Sequence, residues 1–198
     1  MIARRNSWQA WIVAAWLRIF FKPFLGLPVG VAFKRLLLKF WSKLLFQPLG
    51  TVIEYLDTDK KIEKIYPNRD ISQSRIVFFH GGGYVIGSPR THRRLTTHIS
   101  LESNAIVYVP SYRLAPEYQY PSQLRDAMAA IEFLVEREGL DIRKSIFVGD
   151  SAGAHLCLSL VLHLKSKCLD LPGGIALISP WTDFALDCSK INKNDAVL

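Results

Sequence analysis

The spacing of apolar residues changes near residue 50 of the chain. Before this point, apolar positions recur at intervals typical of amphipathic helices. After it, short apolar runs such as AIVYV (residues 105–109) and SIFV (residues 145–148) alternate with longer stretches of helical periodicity. Unbroken apolar runs suit strands that are buried on both faces of a parallel sheet. The pattern therefore predicts an α/β fold in which helices flank both sides of a mostly parallel central sheet.

Six strands and three helices are predicted after residue 50. The predicted strands are residues 51–56, 61–66, 75–80, 105–110, 145–149 and 174–178. The predicted helices are residues 92–102, 121–138 and 152–165. Pro121 suits the first position of a helix and Gly139 suits a helix stop. We expect two domains, a helical cap segment over residues 1–49 and an α/β domain over residues 50–198.

The N-terminal segment is predicted to form two amphipathic helices. Their apolar positions are Trp8, Trp11, Ile12, Ala15 and Ile19 in the first helix, and Val31, Leu38, Trp41 and Leu45 in the second. The longest unbroken apolar run, residues 11–17, is too short to span a bilayer, and Arg18 and Lys22 argue against a signal peptide. We favour a helical cap packed on the main domain. The alternative is a cationic, Trp-bearing surface that contacts lipid.

Positive charge is concentrated in the same segment. The formal net charge is +8, and residues 1–53 hold eight Lys and Arg but no Asp or Glu, so the charges of the remaining residues cancel. This distribution argues against nucleic-acid binding by the main domain. The three cysteines, Cys157, Cys168 and Cys188, lack CxxC spacing and argue against a disulfide framework. We interpret them as buried apolar side chains of a cytoplasmic protein, with attachment to a membrane surface as the alternative location.

The sequence GDSAG, which begins at Gly149, follows a predicted strand and opens a predicted helix. This is the context of a nucleophile elbow, in which a serine sits on a tight turn and projects its hydroxyl above the sheet. The strand and the helix can approach closely only if the neighbouring residues are small, as Gly149, Ala152 and Gly153 are. Ser151 is therefore the candidate nucleophile, and Asp150 is assigned a supporting role in the motif.

A second glycine-rich segment, HGGG at residues 80–83, ends the predicted third strand. Glycines let backbone N–H groups approach a tetrahedral oxyanion, and we expect Gly82, Gly83 and Ala152 to be the donors. A phosphate cradle is the alternative. It is disfavoured because the segment lacks the Lys-Ser/Thr pair of a P-loop and the full G-x-G-x-x-G spacing.

Other residues near these motifs are assigned supporting roles. His80 and Gly81 are expected to support the glycine loop, His80 as a hydrogen-bonded anchor rather than as a base. Tyr84, beside the loop, is expected to shape the substrate pocket. Arg113 and Glu117 are expected to form an ion pair across a turn.

Several segments resemble, in their order, the hormone-sensitive-lipase-like branch of the α/β-hydrolase superfamily, the esterases with the GDxG signature. They are FFHGGGYVIGSPRTH (78–92), SYRLAPE (111–117), YPSQLRDAMAAIEFL (120–134), VGDSAGAHL (148–156) and ISPWTD (178–183). The resemblance implies an α/β-hydrolase fold and a serine carboxylesterase or lipase that acts on small-molecule esters of short to medium acyl chain. It also implies that the N-terminal helices form part of a cap, and that no metal ion or organic cofactor takes part.

One part of the catalytic set is missing from these 198 residues. A serine hydrolase of this fold needs an acid and then a histidine after the serine. After Ser151 the histidines are His155 and His163, and no Asp or Glu lies between Ser151 and either of them. We therefore expect a C-terminally truncated member of the family that lacks the last strands and helices of the fold and is nearly inactive alone.

Two other functions stay open at this point. A non-catalytic binding protein would keep the α/β-hydrolase fold, although it would have no need to keep HGGG and GDSAG together. An interfacial lipid-binding protein would act through residues 1–49. Amidase activity is a related alternative to esterase activity, because the same acyl-transfer chemistry cleaves ester and amide bonds.

Overall fold

The computed structural model describes residues 8–16, 18–19, 26, 29–44, 48–56 and 62–182. The chain divides into two units, of which Val31–Thr182 is the larger. In the other unit, the helix α1 (Trp8–Trp16) carries exposed Trp8, Trp11 and Ile12 side chains. The predictions for Leu45 and Cys188 fall outside the described residues. Among the helices described, none has the length and apolarity that a membrane crossing requires.

The described residues form a six-stranded sheet with the order β1-β2-β4-β3-β5-β6. The strands are β1 (Thr51–Leu56), β2 (Ile62–Pro67), β3 (Arg75–Phe79), β4 (Ile106–Pro110), β5 (Ser145–Asp150) and β6 (Gly174–Ile178). The last four strands run parallel, and β1 and β2 add an antiparallel edge. The predicted α/β class and mostly parallel sheet are therefore confirmed.

Four helices of the larger unit are described. They are α2 (Val31–Leu44), α3 (Pro89–Ser103), α4 (Ser122–Glu138) and α5 (Ala152–Ser166). α3 begins earlier than predicted because the Ser88 side chain caps it and Pro89 takes a first-turn position. α4 ends at Gly139, as predicted, where a φ of 63° closes the helix in the left-handed conformation. Pro121 lies just before α4 instead of at its first position.

The sheet separates two apolar cores, and β3 contributes to both. Val77 and Phe79 pack with buried residues of α4 and α5 on one side. Ile76 and Phe78 lie in the other cluster, against which α3 contributes Ile99. Successive strand residues point to opposite faces, so an unbroken apolar run is what a strand needs when helices cover both sides. The prediction of helices on both faces is confirmed.

The N-terminal helix α2 belongs to the same unit as the sheet and packs against α3. The boundary between the two units lies at Val31. The division into a segment over residues 1–49 and a domain over residues 50–198 stays a prediction, as does the role of the first segment as a cap.

Candidate active site

Ser151 stands on a sharp turn between β5 and α5. Its φ of 50° and ψ of −116° are rare for a residue with a side chain, and such a conformation costs about 1–3 kcal/mol. The Ser151 N–H donates to the Ile178 carbonyl oxygen (N···O 2.9 Å), which ties the turn to the end of β6. Ser151 therefore lies at the carboxyl ends of parallel strands, where ligands bind in open α/β sheets.

Close packing around the turn explains its two flanking glycines. A Cβ atom on Gly149 would lie 2.5 Å from the carbonyl carbon of Gly153. A Cβ atom on Gly153 would lie 2.5 Å from the His80 carbonyl oxygen and would also collide with that of Phe79. Neither position accommodates a side chain, so the strand and the helix approach each other as closely as the motif predicts.

The glycine loop after β3 holds three successive residues in the left-handed region. The φ angles are 123° at Gly82, 61° at Gly83 and 61° at Tyr84. The Gly82 carbonyl oxygen points into the loop, where it accepts hydrogen bonds from the N–H groups of Val85 (3.1 Å) and Ile86 (2.9 Å). In a trans peptide the C=O and the next N–H point in opposite directions. The Gly83 N–H therefore points out of this turn, as an oxyanion donor must.

Ala152 supplies the third expected donor. It is buried and is the first residue of α5. The first N–H groups of a helix have no acceptor within the helix, and they carry the positive end of its dipole. Among the described residues, no histidine hydrogen-bonds to the Ser151 hydroxyl. The convergence of Gly82, Gly83 and Ala152 on one oxyanion stays a prediction.

Asp150 links the glycine loop to the serine turn. Its Oδ1 accepts a hydrogen bond from the Gly81 N–H (2.8 Å), and His92 Nε2 lies 3.4 Å from its Oδ2. Burial alone would raise the pKa of the Asp150 carboxyl, but His92 and the Gly81 N–H outweigh burial and hold that pKa below its ordinary value. The carboxylate is therefore ionised at neutral pH and fixes the start of the loop.

The contact of His92 with Asp150 was missed from the sequence, where His92 was not given a place in the site. His92 comes from α3, 58 residues before Asp150, and local spacing carries no information on such a contact. The one available signal was its position at the end of the segment FFHGGGYVIGSPRTH.

His80 is buried next to the glycine loop. Its ring stacks on Tyr112 with centroids 4.2 Å apart, and its Nδ1 donates to the Gly81 carbonyl oxygen (2.9 Å). The Tyr112 hydroxyl donates to the His80 carbonyl oxygen. Burial and the nearby His92 lower the pKa of His80 to about 3, so its side chain is neutral at physiological pH. These contacts suit an anchor of the loop, the role predicted for it.

Burial of neutral His80 leads to a prediction about acid stability. An unfolded histidine takes up a proton near pH 6.5, whereas folded His80 does so only near pH 3. Stability is therefore present in full above pH 6.5 and is lost as the pH falls below it, by about 2 kcal/mol between pH 7 and pH 5. Urea unfolding at both pH values measures this loss. His155, whose pKa burial also lowers, adds in the same direction.

A variant pair isolates the contribution of His80. His80→Asn keeps a donor for the Gly81 carbonyl oxygen but removes the titrating ring, and we expect the acid loss to fall by more than half. His98→Asn, at an exposed position of α3, serves as the control and should leave the loss unchanged. An equal acid loss in His80→Asn and the native chain would contradict the assignment.

Tyr84 contacts the first turn of α5. The Tyr84 hydroxyl and His155 Nδ1 are 2.6 Å apart and share a hydrogen bond, while His155 Nε2 lies 3.4 Å from Ser159 Oγ. Burial raises the pKa of Tyr84 and lowers that of His155. Tyr84 therefore lies against the helix that Ser151 precedes, and its role in the substrate pocket stays a prediction.

The expected ion pair between Arg113 and Glu117 is wrong. Arg113 Nη2 pairs with Asp126 Oδ1 of α4 at 2.7 Å. Glu117 Oε1 pairs instead with Arg35 Nη1 of α2 at 2.9 Å. The two residues are close in sequence, but each side chain turns to a different helix, where a partner of matching fork geometry lies.

The two described cysteines, Cys157 and Cys168, differ in solvent exposure. Cys157 is buried, as predicted, and its burial raises the pKa of the thiol. The prediction is wrong for Cys168, which is exposed because it follows α5 in a turn at a φ of 53°. Within the described ranges, no group of three or more His, Cys, Asp or Glu residues is placed to hold a metal ion.

Comparison with known proteins places this geometry in context. A family model described as an alpha/beta hydrolase fold matches residues 76–197. The chain is 36% identical over 112 residues to an acetyl-hydrolase of Streptomyces hygroscopicus, a match that covers 57% of the chain and 37% of the relative. It is 35% identical over 131 residues to an esterase of Acinetobacter venetianus, which covers 64% of the chain and 43% of the relative.

A solved structure extends the comparison to three dimensions. The chain is similar to an esterase from the bacterial hormone-sensitive lipase family, with a TM-score of 0.79 and 29% identity. The similarity covers 90% of this chain and 59% of that one. The chain thus spans less than half of the length of the two curated relatives and about three fifths of the solved esterase.

Proposed function

We propose that this protein hydrolyses carboxylic esters with Ser151 as the nucleophile. The chain belongs to the α/β-hydrolase family, in its hormone-sensitive-lipase-like branch. One observation carries the proposal. The strained Ser151 turn and the glycine loop lie side by side, and the Asp150 carboxylate ties them together through the Gly81 N–H. A fold that served binding alone would need neither the strain nor the link.

The residues divide the chemistry between them. Ser151 Oγ attacks the ester carbonyl carbon, and the N–H groups of Gly82, Gly83 and Ala152 stabilise the oxyanion that forms. Each such donor is worth about 10²–10³ in kcat. The alcohol then leaves, and water hydrolyses the acyl-serine. His80, Gly81, Gly149 and Gly153 keep the two backbone segments in place.

Proton transfer is assigned to residues outside these 198. His155 already shares its Nδ1 with Tyr84, and no Asp or Glu lies between Ser151 and either later histidine. The oxyanion hole and binding alone leave about 10³–10⁴-fold catalysis over water. The 198-residue chain is therefore nearly inactive by itself.

The proposed substrates are small esters with short acyl chains. The acetyl-hydrolase relative supports this class. The half-buried Tyr84 against His155 supports it as well, because an aromatic side chain beside the oxyanion loop limits the room for the acyl group. Hydrolysis of p-nitrophenyl butyrate tests the proposal. The assay uses a fusion of this chain to the C-terminal part of a related esterase that adds the catalytic acid and histidine, with Ser151→Ala as the negative control. Turnover of anilides but not esters would redirect the proposal to amides.

Lipid contact through the N-terminal helices is the second candidate, and α2 favours it. Phe33, Leu36 and Phe40 share one face of α2 and are 49%, 61% and 58% exposed. Lys39 and Lys43 are exposed on the same helix, which holds no acidic residue. An exposed apolar stripe beside cations suits the surface of an anionic membrane. The proposed location is the cytoplasm. If α2 contacts lipid, the protein is also attached peripherally to the membrane surface.

Vesicle co-sedimentation tests the second candidate. We expect the chain to bind phosphatidylglycerol vesicles and to bind phosphatidylcholine vesicles more weakly. The double variant Phe33→Ser, Phe40→Ser should lose at least about tenfold in affinity, because each buried aromatic side chain contributes about 1.5–3 kcal/mol. Leu162→Ser, at an exposed apolar position of α5, is the matched control. Equal binding by the double variant and the native chain would exclude this surface.

A further inference from the structure

Arg35 of α2 connects the N-terminal segment to the candidate active site through four hydrogen bonds. Its Nε donates to the Val85 carbonyl oxygen (2.8 Å), and its Nη2 donates to the Ala115 carbonyl oxygen (2.7 Å). Both terminal nitrogens also bind the Glu117 carboxylate at 2.9 Å. The partners lie 50 to 82 residues away along the chain, so this one side chain joins three distant segments.

Arg35 binds the C-terminal end of the glycine loop, at the Val85 carbonyl oxygen. Val85 and Ile86 donate to the Gly82 carbonyl oxygen, and Ala115 donates to the Tyr84 carbonyl oxygen (2.8 Å). The carbonyl oxygens of Tyr84 and Val85 thus both bind to groups outside the loop, one to the Ala115 N–H and one to Arg35.

The loop needs such support because of its backbone conformation. Tyr84 is held at a φ of 61°, which a residue with a side chain adopts only when its surroundings enforce it. A planar guanidinium can satisfy two carbonyl oxygens and a carboxylate together, whereas a lysine ammonium lacks the fork that this geometry requires.

We infer that Arg35 is a positioning residue that holds the glycine loop in the conformation in which the Gly83 N–H faces the oxyanion. The inference rests on the proposed esterase function for the identity of the loop as an oxyanion hole. Arg35 does not touch the reacting atoms. It acts by fixing the peptide after Val85, and by holding Ala115, whose N–H binds the Tyr84 carbonyl oxygen. Replacement of Arg35 therefore affects the stabilisation of the transition state more than the binding of the ester.

Amide hydrogen exchange on the 198-residue chain tests the inference without any need for turnover. In Arg35→Lys we expect the amides of Val85, Ile86 and Ala115 to exchange about tenfold faster, and those of β3 and β5 to be unchanged. Unchanged exchange at the three amides would overturn the inference. So would an equal acceleration throughout the sheet, because that would mark a general loss of stability.

Two further variants complete the exchange experiment. Arg69→Lys is the matched control, because Arg69 also joins a side-chain oxygen of Asn104 (3.1 Å) to a backbone carbonyl oxygen, that of Leu101 (2.7 Å), but at the end of α3. It should leave the loop amides unchanged. Glu117→Gln weakens the ion pair that orients the Arg35 guanidinium but keeps the guanidinium itself. It should speed the exchange of the same three amides by about threefold. If Arg35→Lys does not fold, the absence of this acceleration overturns the inference.

The separate effects on kcat and KM distinguish a positioning role of Arg35 from a purely structural one. In a fusion that supplies the acid and the histidine, Arg35→Lys should lower kcat about tenfold and leave KM within about twofold. A rise in KM at unchanged kcat would overturn the inference. A fusion that is inactive with native Arg35 counts against the proposed esterase function, and the exchange data then decide on Arg35 separately.

Discussion

Ser151→Ala should lower kcat for p-nitrophenyl butyrate on the order of 10⁶-fold in a fusion that completes the catalytic set. In this fusion, residues up to Thr182 are joined to the C-terminal part of the Acinetobacter venetianus esterase that lies beyond the matching segment. The family resemblance implies that this part carries the acid and the histidine. The expected loss is large because the proposed mechanism forms its covalent intermediate on Ser151, and no other described side chain has its position on the elbow.

The controls for this experiment separate the nucleophile from the fold. Ser166→Ala removes a serine hydroxyl at the far end of α5, one that donates to the His163 carbonyl oxygen, and should keep full activity. The 198-residue chain without the added part should turn over at least about 10³-fold more slowly than the fusion. If this chain alone matched the fusion, and Ser151→Ala abolished that activity, the catalytic base would lie within these 198 residues, contrary to the proposal.

Gly153→Ala should destabilise the protein severely. The added Cβ would collide with the backbone carbonyl oxygens of Phe79 and His80, and backbone atoms at the centre of a sheet cannot move aside as a flexible side chain can. We expect a cost of about 4 kcal/mol or more, against a total stability of about 5–15 kcal/mol for a typical domain. Urea unfolding followed by circular dichroism measures the loss.

A matched glycine shows whether the collision or the loss of glycine itself is responsible. Gly139→Ala places a methyl group in open space at a φ of 63°, so only backbone strain of about 1 kcal/mol is expected. Comparable losses in the two variants would contradict the close approach of α5 to the end of β3.

The backbone around the candidate site followed from the sequence because its requirements are local. The strands β3 and β4 were recognisable because each needs apolar residues on both faces, a property of five consecutive residues. The Ser151 turn was recognisable because close packing excludes every side chain at Gly149 and Gly153, which leaves a signature in the sequence. The assignment of catalytic roles to Ser151, Gly82, Gly83 and Ala152 stays a prediction until the kinetic experiments are done.

The partners that hold the site together were decided only by the tertiary structure. The link of Asp150 to His92, the replacement of the Arg113–Glu117 pair by Arg113–Asp126 and Arg35–Glu117, and the grip of Arg35 on the glycine loop all join residues from different elements. A charged side chain can pair with any opposite charge that the fold brings within reach, and sequence spacing does not rank those partners. The sequence by itself therefore determined where the backbone must be tight, whereas the strand order and the placement of α2 decided which side chains keep it so.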